Sequence, residues 1–151
     1  MAALTADIEM AHAGGFEIGK FALNGGVASD IWYKGAILYY LAAGRLTPVN
    51  TTAGLQPAGI CLEQKTTTAV DEDIMTATKG CWRIVPASAA LTDEGALLSC
   101  DASAVSDNPA DLDTGLSSTG DTAFAFVVKF DDAGTDGLWC DTGRKAIAVV
   151  S

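Results

Sequence analysis

The chain has 151 residues, the length of one ordinary domain, and a chain of that size buries about two-thirds of the surface its unfolded form exposes. Hydrophobic residues make up 49% and charged residues 19%, which excludes an intrinsically disordered chain and means that no disulfide or metal is needed to build a core. Nine Lys and Arg stand against 19 Asp and Glu, a formal net charge of −10, so phosphate and anionic lipid are repelled; nucleic acid and membrane are not expected partners.

The opening residues, Met1 to Glu9, hold no basic cluster and no continuous apolar stretch. No window approaches the ~20 uninterrupted apolar residues of a membrane span. The expectation is therefore folding in the cytoplasm. Cys61, Cys81, Cys100 and Cys140 lack the close pairing of a zinc site, and each lies in or beside an apolar run. They read as buried small hydrophobes. An even count permits disulfides, which a reducing compartment disfavours.

In chain order the punctuation is that of an all-β protein. Residues 1–15 hold Leu4, Ile8 and Met10 among small residues, and Gly14-Gly15 separates them from the first convincing strand. The segment reads as an extended N-terminal arm, with 16–151 as a single β-barrel domain. Phe16 and Ile18 alternate, then Phe21 and Leu23 in the other phase, so a bulge or turn is expected near Gly19. Asn24-Gly25-Gly26 is a turn signal. Residues 35–41 form a continuous apolar run, expected as a buried strand. Ala43-Gly44-Arg45 turns into residues 46–49, which Pro48 confines to a short or edge strand. Further strands are expected at 58–62 and 66–70. Residues 74–78 are expected to pair with 79–85. Strands at 96–100, 122–130 and 145–150 complete the set. Residues 87–93 offer at most one short helix, with an acidic end on the wrong side for the helix dipole. Residues 101–120 read as a long exposed loop.

One internal echo stands out. Gly35-Ala36-Ile37-Leu38-Tyr39-Tyr40 and Gly95-Ala96-Leu97-Leu98-Ser99-Cys100 share a Gly, a small residue and an apolar run. Each is followed at a distance by a second apolar strand. Two related hairpin units imply a small barrel or sandwich of short strands.

Little points to catalysis. The single histidine, His12, lies near the N-terminus, where a general base is hard to hold rigidly. No phosphate loop and no nucleophile elbow occurs. Asp71-Glu72-Asp73 and Asp131-Asp132 with Asp136 lie in polar turns, where carboxyl groups ionise normally. The 131–137 segment offers oxygen ligands for calcium but lacks EF-hand spacing, so a plain charged turn is the first reading. Trp32-Tyr33, Tyr39-Tyr40, Trp82 and Trp139 fall on several strands, and consecutive aromatics on a strand face opposite ways. One of each pair must meet another layer, another subunit or solvent.

The strings Gly-Ala-Ile-Leu-Tyr-Tyr, Arg-Leu-Thr-Pro-Val and Ala-Gly-Ile-Cys-Leu-Glu fill the first half. Gly-Cys-Trp-Arg-Ile-Val, Leu-Thr-Asp-Glu-Gly-Ala-Leu-Leu-Ser-Cys, Phe-Ala-Phe-Val-Val-Lys-Phe and Lys-Ala-Ile-Ala-Val-Val follow. In this order they resemble the small capsid decoration proteins of tailed bacteriophages, also called cementing or head-stabilising proteins, over residues 35–150. The N-terminal segment is longer and richer in Ala and Gly than in the compact members. The resemblance implies a structural, non-enzymatic protein without cofactor or metal. It would be made in the host cytoplasm and sit on the capsid exterior of the virion. Its partners would be the major capsid protein and itself, as a homotrimer or less often a monomer. Capsid contacts are then expected at Leu4, Ile8, Met10 and Phe16, and subunit contacts at Trp32, Tyr39 and Trp82. The alternative from another class is a carbohydrate-binding β-sandwich module stacking sugar on Trp32 or Trp139. A hydrolase built on His12 is a third.

Overall fold

A computed structural model describes residues 4–23, 31–41, 44–48, 55–69, 72–100, 107–115 and 122–143. Eleven strands are described: β1 (His12–Ala22), β2 (Ile31–Trp32), β3 (Ile37–Tyr40), β4 (Leu46–Thr47), β5 (Pro57–Cys61), β6 (Lys65–Thr66), β7 (Asp73–Ile84), β8 (Leu97–Cys100), β9 (Asp113–Thr114), β10 (Thr122–Asp131) and β11 (Gly137–Asp141). Nine of them form one antiparallel sheet in the order β4-β3-β5-β7-β11-β10-β8-β9, with β1 also paired to β7; β2 and β6 form a separate ribbon. The sheet curls into a half-barrel, so the chain is all-β as the sequence predicts. Helical structure among the described residues is short: 3₁₀ turns at Leu91–Asp93 and Pro109–Asp111.

The spine is β7. β1 covers it from Asp73 to Trp82, which occupies one margin of the strand. The other margin is therefore shared, β5 taking Thr76 and Ala77 and β11 taking Cys81 to Ile84. The expected hairpin between 74–78 and 79–85 does not form, because Lys79-Gly80 continues the strand instead of turning. The local irregularity is a bulge: Glu17 pairs with Lys79 and Ile18 with Ala77, leaving Thr78 as the extra residue. A bulge bends its strand and increases the local twist, and this one falls between the stretches that β5 and β11 take. The β1 irregularities lie between Ala13 and Ile18, slightly earlier than the expected one at Gly19.

The internal echo has a structural counterpart. Gly35 and Gly95 take φ of +85° and +82°, a region glycine enters without Cβ strain. Gly35 N–H donates to Cys61 O at 2.8 Å, and Cys61 N–H returns a bond to Ala36 O at 2.8 Å. Gly95 N–H donates to Val127 O at 2.9 Å, and Val127 N–H returns a bond to Ala96 O at 2.9 Å. Each unit then runs strand, two-residue outer strand and longer partner strand: β3, β4, β5 in one, β8, β9, β10 in the other.

The apolar residues divide into two cores. The larger includes Ile37, Tyr39, Ile60, Trp82, Ile84, Leu98, Phe124, Val127 and Leu138; the smaller includes Leu23, Trp32, Ala36, Leu38, Leu46, Ala58 and Ile74. Ile37 and Tyr39 face the first while Ala36 and Leu38 face the second. Both faces of β3 are thus covered, which is why its sequence is continuously apolar instead of alternating. Tyr39 is buried and Tyr40 is exposed, the split expected of neighbours on a strand.

Two other expectations change. The 101–120 segment is not wholly an exposed loop: Asp107, Pro109 and Leu112 are buried, and β9 lies within it. Ile37 N–H donates to Asp107 O at 2.8 Å, so this stretch is a wall of the core. Residues 101–106 and 116–120, the Asn24-Gly25-Gly26 turn and the strand expected at 145–150 lie outside the described residues. The strand β11 was missed, because its Gly-Leu-Trp-Cys-Asp sequence is short and follows an Asp-rich turn.

Gly59 is the tightest backbone approach: a Cβ built there would overlap the carbonyl oxygen of Ala77 on β7. Gly59→Ala should lower stability by about 3 kcal/mol, since backbone must move to admit the methyl group. Gly15→Ala, with nothing within 4 Å of the added carbon, should stay within about 0.5 kcal/mol. Urea unfolding of both variants measures the difference.

Candidate interaction surface

The residues with chemical potential are dispersed. His12 is exposed on β1, edge-on to Phe16 at 4.9 Å between ring centroids and 5.3 Å from Trp82, with Nδ1 3.3 Å from Gly14 O. It belongs to an aromatic cluster, not to a nucleophile–base pair. Cys61, Cys81, Cys100 and Cys140 are free thiols. Burial pushes the Cys61 and Cys140 thiols up to about 12 and raises that of Cys81. A thiol held protonated is a poor nucleophile and a poor metal ligand. Burial likewise raises Tyr39, whose hydroxyl is hydrogen-bonded to Cys100. Among the described residues, no three His, Cys, Asp or Glu side chains converge as a metal site.

The carboxylates of the turns hold backbone. Glu72 accepts from Thr68 N–H at 2.6 Å, Thr68 Oγ1 at 2.7 Å and Ala69 N–H at 2.7 Å. Those bonds bring it down to about 2. Asp131 accepts from Ala133 N–H at 3.0 Å, Arg83 Nε at 2.8 Å and Trp139 Nε1 at 3.2 Å. The Ala133 amide, then Arg83 and Trp139, hold its carboxyl below the ordinary range. Arg83 also donates to the Thr135 carbonyl, so one arginine braces the whole β10–β11 turn.

Residues 4–11, within the extended N-terminal arm expected over 1–15, lie against the rest of the chain. Leu4 N–H donates to Asp107 Oδ1 at 2.8 Å, Ile8 N–H to Lys34 O at 2.9 Å, and Arg83 N–H to Ala11 O at 2.9 Å. Lys34 returns its own N–H to Asp7 Oδ1 at 2.9 Å and its ammonium to Glu9 at 2.8 Å. Leu4 packs on the smaller core and Met10 and Phe16 on the larger; Ile8 lies over Gly35. These four side chains are half-buried within the chain. Trp32, Tyr39 and Trp82 are 2%, 3% and 4% exposed, so their area is already covered by the chain's own cores. Side chains enclosed in this way offer little surface to the neighbouring subunit expected there.

The open surface lies on β1. Its inner margin pairs with β7; among the described residues the other margin carries no ladder, its far end meeting β4 through one parallel bridge between Leu23 and Leu46. Leu23 N–H donates to Glu72 O at 2.7 Å, which sets the alternation: Gly19 and Phe21 address β7, while Ile18, Lys20 and Ala22 direct their backbone groups outward. Ile18 is 56% exposed, and Met75 opposite Lys20 is 40% exposed on the same face. Lys20 pairs with Asp73 and Lys79 with Glu17 across the strands. Charged side chains and bulges are the usual devices that keep such an edge from pairing indiscriminately. The sequence reading missed this margin, because a strand with two cores on one side and water on the other shows only a broken alternation. Comparison with protein-family models, curated proteins and solved structures found no match for the chain.

The depressed Asp131 carboxyl has a pH consequence. Its contribution to stability is present above the ordinary carboxylate value of 3.8 and is lost as pH falls below that through the lowered folded value. Asp131→Asn should therefore flatten the acid side of the melting-temperature profile between pH 2 and 5 (about the carboxylate range). An unchanged acid limb in that variant contradicts the assignment.

Proposed function

We propose that the protein is a structural component of a tailed-phage virion. It binds the outside of the capsid and cements contacts between major capsid proteins. The observation that best supports this reading is the open margin of β1. Ile18 and Lys20 direct backbone groups outward there, beside the exposed side chains of Ile18 and Met75. An extended segment of a neighbouring protein adds there as a further strand, with backbone bonds for affinity and Ile18 for apolar contact. The resemblance of the ordered apolar strings in the sequence to decoration proteins supports the same reading, as does the dispersal of reactive groups described above. An acidic exterior also suits a protein that must avoid packaged DNA and keep particles soluble. Homotrimers on the head belong to this proposal, with subunit contacts now sought away from the buried tryptophans.

The carbohydrate-binding alternative has no observation in its favour. A stacking platform needs an open indole face. Trp32 and Trp82 are buried, and half-buried Trp139 has its N–H bonded to Asp131.

Purified protein mixed with expanded empty heads should co-sediment with them; failure of the unaltered chain to do so removes the reading. Lys20→Pro deletes an outward N–H without touching the β7 ladder, so it should weaken binding about tenfold while the fold persists. Undiminished binding by that variant moves the contact off β1. Light scattering with and without heads tests the trimer, and a strict monomer in both removes it.

A further inference from the structure

We propose that residues 4–13 form a strap that detaches from the barrel as a unit, turning about Gly14 and Gly15, while the sheet stays folded. Three observations converge on it. First, apart from the short ladder at its end, where His12 and Ala13 pair with Trp82 and Cys81, the strap is held by polar clasps near the surface. Lys34 supplies three of them, through its carbonyl, its amide and its ammonium, and the Lys34–Glu9 pair is exposed. Only the bond from Leu4 N–H to Asp107 reaches a buried acceptor, Asp107 being 6% exposed. Segments held by few buried apolar contacts and by exposed backbone bonds open locally at lower free energy than the whole domain unfolds.

Second, the packing beneath the strap is incomplete. A cavity of about 100 Å³ lies between Ile8, Glu9 and Met10 on one side and Arg83, Val85 and Pro109 on the other. The space is partly open and is bordered by the exposed Glu9 and Val85, so atoms on its two sides lack the mutual dispersion contacts of a close-packed seam. Leu4, Ile8 and Met10 are each half-buried, so none anchors the strap as a core residue would.

Third, there is a built pivot. Gly14 has φ +74°, and neither Gly14 nor Gly15 has any atom within 4 Å of the place a Cβ would occupy. Pairing with β7 is interrupted between Ala13 and Glu17, so the strand is already broken at that point. Beyond it, Glu17 to Ala22 remain paired with Lys79 to Asp73 and keep β1 in place. On the capsid-binding reading, on which this sentence alone rests, an opened strap presents Leu4, Ile8 and Met10 to a neighbouring protein.

Native-state hydrogen exchange on the free, full-length chain tests the strap without any capsid. The amides of Leu4, Ile8 and Arg83 donate to or receive the strap, whereas those of Cys61 and Val127 lie in the two repeated hairpins. The strap amides should exchange at least ~100-fold faster than Cys61 and Val127, with rates insensitive to urea below the unfolding transition. Asp107→Ala should speed exchange at Leu4 and Ile8 about tenfold further and leave Cys61 and Val127 unchanged. Asp107→Asn, whose amide oxygen still accepts the Leu4 bond, should restore the original rates. Exchange of strap and core amides together, with one urea dependence, overturns the proposal. So does an Asp107→Ala variant in which core and strap accelerate in proportion.

Discussion

Everything in this fold depends on the ladder along β7. Among the described strands, its twelve residues alone meet three neighbours, β1 along one margin and β5 and β11 in succession along the other. Buried backbone N–H and C=O groups must find partners, so two partial sheets can share a spine only where the margin changes hands without leaving orphans. The Thr78 bulge lies between the stretch that β5 takes and the stretch that β11 takes, and a bulge bends and twists its strand. The same geometry brings Ala77, Trp82 and Ile84 of one strand into the main core while Ile74 joins the smaller one.

The acidity of the chain acquires a structural meaning in its turns. Asp7, Glu63, Glu72, Asp93, Asp107, Asp131 and Asp141 each accept a hydrogen bond from a backbone N–H. A β protein with many short strands has many turns, and turn amides lie outside the ladders. Carboxylates satisfy them more strongly than neutral acceptors do. Glu72, Asp93, Asp131 and Asp141 thus brace their own turns, while Asp7, Glu63 and Asp107 tie segments distant in sequence. Around β1 the remaining charge is offset in pairs, Lys20 with Asp73, Lys79 with Glu17, Lys34 with Glu9 and Lys65 with Glu72. The turn between β10 and β11 instead carries Asp132 and Asp136 beyond the Arg83–Asp131 pair. Among the described residues, the charges beside the open edge are thus largely paired, which lessens repulsion of another acidic protein there.

Buried polar groups mark where the two halves differ. Asp107 is held by Leu4 and Ile37, and burial, opposed by the Leu4 bond, raises its carboxyl above the ordinary value. Trp82 Nε1, Thr76 Oγ1 and one oxygen of Asp111 are buried without a hydrogen-bond partner. Orphans of this kind weaken a site relative to a fully paired one. Trp82 lies under the Phe16–His12 cluster and Asp111 beside the wall that receives Leu4, so both border the N-terminal segment.

The sequence by itself determined the class and much of the inventory. Periodicity and turn residues located β3, β5, β8 and β10, Pro48 limited β4 to two residues, and the Gly35 and Gly95 echo marked two units with the same hydrogen-bond pattern. It also placed one tyrosine of the 39–40 pair inside and one out, because side-chain alternation is a local property of the chain. Tertiary structure alone decided the rest. Whether 73–84 is a hairpin or one strand depends on partners that lie far away in sequence. That Asp107 is a wall of the core depends on Leu4, 103 residues earlier. Trp32, Tyr39 and Trp82 read as spare aromatic surface because a sequence shows how much apolar area exists but not which areas cover each other. The open margin of β1 is invisible for the same reason: an edge is defined by the absence of a neighbour, and neighbours are assigned only when the whole chain has folded.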